Sequence, residues 1–166
     1  RLLQLPDDDP IVLASFGGHG LDLDYPHIAA TNGVTLVLTD HEAGAVVETG
    51  RLRCFARRAL TALGLGYEDL VAAADVVVSK PGYGIVSECI ANGTALVYAS
   101  RGSFVEQDVM VAEMPRLLRC RFIEREDLVA GRWRASVDAV LGQPSPAHAI
   151  SVNGADQAAA AILELV

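Results

Sequence analysis

The sequence predicts a doubly wound α/β domain, Rossmann-like, with a mostly parallel sheet and helices on both faces. Three observations carry that expectation. Short apolar runs recur without polar alternation, at Ile11–Phe16, Thr35–Thr39, Asp75–Ser79 and Thr94–Ala99, as strands buried on both faces require. Glycine-bearing or polar loops and then helical stretches follow these runs, the strand–loop–helix recurrence of an α/β sheet. The composition is 51% hydrophobic but only 5% aromatic, which suits helix-covered parallel strands better than an aromatic-rich sandwich.

At 166 residues the chain can bury a single sizeable core but is too short for two full-sized domains. It starts at Arg1 rather than Met and reads as a fragment or processed piece. The net charge is −8 and the basic residues are scattered, so neither a nucleic acid nor an anionic membrane is an expected partner. No run approaches the ~18 continuous apolar residues of a membrane span, and the polar start lacks the apolar centre of a signal peptide. Cys54, Cys89 and Cys120 form neither a CxxC pattern nor a disulfide framework. A reducing, cytoplasmic setting is therefore expected.

Residues 1–10, with Pro6, three consecutive aspartates and Pro10, read as a linker into the first strand, leaving 11–166 as a single domain. The run at Ile11–Phe16 ends in Gly17-Gly18-His19-Gly20. A short helix is expected over Asp24–Ala30, a turn at Asn32-Gly33, and a second strand at Thr35–Thr39 leading into Asp40-His41-Glu42. Arg51–Phe55 is the expected third strand, followed by a basic helical stretch whose arginines read as a solvated face. Glu68–Ala74 reads as a helix and Asp75–Ser79 as a strand. Lys80–Gly84 reads as a loop, and Ile85–Asn92 as a helix closed by Gly93. After the strand at Thr94–Ala99 come a helix at Val105–Leu118 bent or shortened by Pro115, a strand at Cys120–Ile123, and two helical stretches, one from Glu124 and one near Trp133, itself read as a packing residue. A last helix spans Asn153–Leu165, with Asn153 and Asp156 placed as N-cap and N3.

In such a sheet ligands bind beyond the C-terminal strand ends, where three loops fall: Gly17–Gly20, Asp40–Glu42 and Lys80–Gly84. The third is the most informative. Gly82 and Gly84 allow close backbone approach, and the helix that follows aims unpaired N–H groups and its positive dipole end at the loop, favouring an anion such as pyrophosphate. Lys80 adds a cation. One turn into the helix, Glu88 can accept hydrogen bonds from two vicinal hydroxyls, as a ribose presents. Gly17, Gly18 and Gly20 are expected to line the phosphates or an attached sugar. His19, Asp40, His41 and Glu42 have side chains that suit metals, but their spacing is not diagnostic and no metal site is expected. Arg101 reads as a surface cation, with phosphate screening as its alternative.

The run Asp75–Ser79, Lys80-Pro81-Gly82-Tyr83-Gly84, Ile85-Val86-Ser87-Glu88 resembles the donor-site signature of GT-B glycosyltransferases, among them plant UDP-sugar transferases and bacterial cell-wall N-acetylglucosaminyl transferases. The resemblance covers roughly residues 11–107. It implies one half of a GT-B fold, in which Ser79, Lys80, Gly82, Tyr83 and Gly84 cradle the diphosphate and Glu88 holds the ribose. Glu106-Gln107 resembles the acid–Gln pair that touches the transferred sugar, set about two residues farther on. Gly66–Leu70 is similar to the segment whose backbone meets the base. Lys80 stands where many of these enzymes have His, Tyr83 where plant enzymes have Trp, and Gly84 where they have Asn. The run is also similar to the glycosyltransferase-like region joined to sugar kinases of the L-arabinokinase type.

What the resemblance implies is a nucleotide-sugar donor domain, UDP type favoured, needing no cofactor beyond that substrate. It would work with an N-terminal acceptor half of the same polypeptide and would not turn over alone. The alternatives are a non-catalytic binding or scaffold module and half of a sugar-nucleotide epimerase.

Overall fold

The computed structural model describes residues 2–6, 8–16, 21–39, 50–102, 105–147 and 150–165. Its centre is a sheet of six strands: β1 (Ile11–Ser15), β2 (Thr35–Thr39), β3 (Leu52–Phe55), β4 (Val76–Ser79), β5 (Ala95–Tyr98) and β6 (Cys120–Phe122). All pairings are parallel and the order is β3-β2-β1-β4-β5-β6. That is the Rossmann order, whose direction of winding reverses between β1 and β4. The expected "mostly parallel" sheet is wholly parallel among the described residues.

Alternate residues of each central strand feed two separate cores, as the two-residue strand period dictates. Val12, Ala14, Leu36, Leu38, Val76, Val78, Ala95 and Val97 face one core. It is covered by α1 (Tyr25–Asn32), α6 (Arg125–Val129) and α7 (Arg134–Leu141). Leu13, Val37, Val77 and Leu96 face the other. That side carries α2 (Arg57–Ala62), α3 (Tyr67–Ala73), α4 (Tyr83–Asn92) and α5 (Gln107–Leu117). Two apolar faces on one sheet explain the unbroken valine and leucine runs.

Helix α4 begins two residues earlier than the sequence predicts, because Gly82 is its N-cap and Tyr83 its first helical residue. Gly93 closes it in the left-handed conformation, as expected. Helix α5 runs through Pro115 to Leu117. The segment read as a linker lies against the sheet: Leu3 and Leu5 pack on the second core, and Asp9 pairs with Arg51 at 2.9 Å.

On the first face, buried Asn32 at the end of α1 joins three elements. Its amide N–H groups donate to the carbonyls of Ile28 (2.7 Å) and Gly131 (2.8 Å). Its Oδ1 accepts from the backbone N–H groups of Trp133 (2.9 Å) and Arg134 (2.7 Å), so a distant side chain caps α7. Trp133 is fully buried and its indole N–H donates to the Leu128 carbonyl, 2.9 Å away, in keeping with a packing role.

The last helix, α8 (Gly154–Leu163), has no buried residue. Asn153 precedes it but makes no capping bond. Its Oδ1 instead accepts from Ser151 and, at 2.7 Å, from the Gln157 amide. The predicted Asn153–Asp156 cap is not formed, because two nearer donors take the oxygen.

Candidate functional site

The reversal of winding between β1 and β4 leaves a crevice at their C-terminal ends, where neither strand's connection crosses the other. Ser15 and Ser79, the last residues of the two strands, are in register. Ser79 is buried, and its hydroxyl donates to the Ser15 carbonyl, with the Lys80 carbonyl 3.1 Å away. A hydroxyl has one proton, so Ser79 holds the strand ends together at the base of the crevice. Gly17, Gly18 and Gly20, with His19 and the Asp40–Glu42 group, lie outside the described residues.

Above Ser79 the chain turns through Lys80 and buried Pro81 into Gly82. Gly82 accepts the first helical bond of α4 from Val86 N–H at 3.0 Å. The N–H groups of Tyr83, Gly84 and Ile85 therefore lack intrahelical acceptors. Gly82 has no side chain to cap them, and the first turn contains no acid. Some helix starts are served by a side chain: Asp24 accepts from His27 N–H at the head of α1, and Asn32 serves α7. The open N–H groups of α4 give positive potential beside the crevice.

Two cations converge there. Lys80 is half-buried and makes no ion pair with a described residue. Arg101, in the loop after β5, lays its guanidinium over Gly82; a Cβ on Gly82 would stand 2.9 Å from its Nη1. From the sequence Arg101 reads as a surface cation, with phosphate screening as its alternative. No local pattern marks it, because its approach to Gly82 spans adjacent strands, β4 and β5.

The Arg101 loop is held in place. Its backbone N–H donates to Gln107 Oε1 at 2.8 Å, and the Tyr83 hydroxyl donates to the Glu106 carboxylate. Partial desolvation, then that bond and the negative charge of Glu106, raise the Tyr83 pKa above 10.0. Tyr83, Glu106 and Gln107, singled out separately in the sequence, thus meet across the heads of α4 and α5. Gly84 faces open space, where a Cβ would touch nothing within 4 Å.

Glu88 lies one turn farther along α4, half-buried, with no cation paired to it among the described residues. Its neighbour Cys89 is buried, and burial, then the Glu88 charge, push that thiol up to about 12. Cys89 is a packing residue and not a nucleophile.

Beside this crevice, past the end of β2, is a cavity of about 310 Å³ lined by Thr39, Arg57, Leu60, Thr61, Leu65, Gly66, Tyr67 and Glu68. It includes the start of the Gly66–Leu70 segment. Arg57, read from the sequence as part of a solvated face, lines it. Among the described residues no group of three or more His, Cys, Asp or Glu side chains is arranged to hold a metal. None of their helices is long and apolar enough to cross a membrane.

Sheet order, two-sided helix cover and a glycine-led helix at the switch point define a Rossmann-like domain of the kind that forms one half of a GT-B glycosyltransferase. Solved structures similar to the chain include the glycotransferase of kitacinnamycin, at 21% identity and a TM-score of 0.57, covering 82% of this chain and 36% of that one. Another is the glycosyltransferase SnogD from Streptomyces nogalater, at 15% identity and a TM-score of 0.48, covering 88% and 43%. The chain thus spans less than half the length of either. The first likeness shows the fold. No protein-family model and no curated protein matches the chain.

Proposed function

We propose that this chain binds the diphosphate of a nucleotide sugar at the head of α4, as the donor domain of a glycosyltransferase completed by a second, acceptor-binding half. The observation that carries the reading is the uncapped start of α4 at the β1/β4 switch point, flanked by Lys80 and by the Arg101 guanidinium over Gly82. Backbone amides and two cations stabilise a departing diphosphate electrostatically. Glu88 anchors the ribose and so positions the donor. Gly17, Gly18 and Gly20 follow β1, the strand beside β4, and are proposed to line the phosphates. Glu106 and Gln107 are proposed to reach the sugar through the capacity left after their bonds to Tyr83 and Arg101. The resemblance of the Ser79–Glu88 run favours a UDP-sugar. A cytoplasmic setting is supported by the cysteine pattern, three widely spaced residues with no CxxC pair.

A second reading, binding without transfer as in modules joined to sugar kinases, is favoured by Gly84, whose position lacks the side-chain donor found in the enzymes it resembles. Calorimetric titration with UDP, UDP-glucose and GDP tests binding itself; silence at millimolar nucleotide removes both readings. Glu88→Ala is expected to lose about 1.5–3 kcal/mol of nucleotide affinity, the scale of a charge-assisted hydrogen bond. Unchanged affinity takes Glu88 out of the site.

A further inference from the structure

We propose that Asn153 is a site of spontaneous deamidation, where the backbone nitrogen of Gly154 converts the side-chain amide to aspartyl and isoaspartyl forms. Every asparagine of the chain, Asn32, Asn92 and Asn153, is followed by glycine. Glycine has no Cβ, so its amide nitrogen can approach the preceding side chain closely. That nitrogen, after losing its proton to hydroxide, attacks the asparagine Cγ. The Cγ–Nδ2 bond breaks, and the amide takes a proton from water and leaves as ammonia. The cyclic imide left behind adds one water at either carbonyl, giving aspartate or isoaspartate. Water is the only co-reactant. The covalent chemistry is the same at all three pairs, so the fold sets them apart.

Asn32 is buried, its Nδ2 donating to the Ile28 and Gly131 carbonyls and its Oδ1 accepting two backbone N–H groups. Its Cγ cannot turn toward Gly33 without breaking that set. Asn92 is exposed but engaged at both reacting atoms. Its Nδ2 donates to the Glu88 carbonyl at 2.9 Å, and the Gly93 N–H donates back into α4, 3.3 Å from the Ile90 carbonyl. Asn153 is exposed and engaged at neither. Gly154 is the first helical residue of α8, so its N–H lacks an intrahelical acceptor, and it has no other among the described residues. The Asn153 Nδ2 makes no hydrogen bond with them either. Only Oδ1 is engaged, by Ser151 and Gln157, and donors on that oxygen stabilise the oxyanion formed on attack. Cyclisation needs rotation about the Asn153 Cα–C bond from its ψ of 30°. Helix α8 has no buried residue whose packing the rotation would disturb.

The test is incubation of the folded 166-residue chain at mildly alkaline pH, with mass spectrometry of its proteolytic peptides following the replacement of NH2 by OH. The Asn153 peptide is expected to convert about tenfold faster than the Asn92 peptide, where hydrogen bonds must first be given up. The Asn32 peptide should be the slowest. Gly154→Ala, whose methyl crowds the attacking nitrogen, should slow conversion at Asn153 and leave the other two rates unchanged. In urea, with the chain unfolded, the three rates should converge. Conversion at Asn32 or Asn92 as fast as at Asn153 in the folded chain overturns the assignment, as does an Asn153 that stays intact throughout. A rate order that persists unchanged in urea also overturns it, because neighbouring side chains and not the fold would then set the order.

Discussion

The Tyr83 hydroxyl donates to the Glu106 carboxylate and so ties the first turn of α4 to the N-cap of α5. The raised Tyr83 pKa states the same link as a titration. The folded chain holds the phenol proton more tightly than the unfolded chain, so the contribution is complete below the ordinary tyrosine pKa of 10.0. It is lost as pH rises through the elevated value. Removing the Glu106 carboxylate altogether in Glu106→Ala takes away two of the three causes and is expected to move Tyr83 ionisation down toward 10.0. Tyrosinate absorbance during an alkaline titration measures it, with Tyr83→Phe identifying the transition. A Tyr83 transition that does not move rules out Glu106 as the partner.

The Asn32 side chain makes four hydrogen bonds to backbone groups from a buried position. Asn32→Ala would leave the Gly131 carbonyl and the N–H groups of Trp133 and Arg134 without these partners, with little access to water, while the Ile28 carbonyl keeps its helical bond. Each orphaned buried group costs about 1–3 kcal/mol before relaxation, and a total of about 2–4 kcal/mol is expected once part of the loss is recovered by rearrangement. The midpoint of urea unfolding reports it. A loss under about 1 kcal/mol would mean that water replaces the amide.

Gly131 and Gly93 separate backbone strain from steric conflict. Both sit in the left-handed region, at φ 71° and 68°. A Cβ on Gly93 meets nothing within 4 Å, whereas one on Gly131 lands 2.7 Å from Ile28 Cγ1 inside the first core. Gly93→Ala should therefore cost about 1–2 kcal/mol, the left-handed penalty alone. Gly131→Ala should cost about 1–3 kcal/mol more, for overpacking. Paired thermal unfolding curves test the difference, and equal melting temperatures would show that Ile28 moves aside freely.

The strands were legible because β1, β2, β4 and β5 are buried on both faces and must be apolar at nearly every position. Strand β3 was harder to read. It lies at the sheet edge with Arg53, Cys54 and Phe55 only half-buried, so the pattern relaxes. The start of α4 was misplaced by two residues because Pro81-Gly82-Tyr83-Gly84 has turn composition, and only the structure shows Gly82 acting as a cap. At the candidate site, local sequence marked the open helix start, since loop and helix adjoin in the chain. It could not mark Arg101 over Gly82 or Arg57 on the cavity wall. Those positions arise from packing of neighbouring strands and helices, which no short window records.

The meeting of Gly82 and Arg101 allows binding to be separated from folding. Gly82 has φ −157°, extended backbone open to any residue, so Gly82→Ala carries no conformational penalty of its own. The added methyl would stand 2.9 Å from Arg101 Nη1, the far end of a flexible side chain that can swing away. Stability should therefore change by no more than about 0.5 kcal/mol, while the guanidinium is displaced from the head of α4. Arg101→Met removes the charge outright and should cost pyrophosphate about 1.5–3 kcal/mol of affinity, with Gly82→Ala losing part of the same energy. Because both variants act through one cation, the double variant should bind no more weakly than Arg101→Met alone. Calorimetry on the four proteins completes the cycle. Additive losses would mean that Gly82 acts on the anion directly, through close backbone approach, and not by seating Arg101.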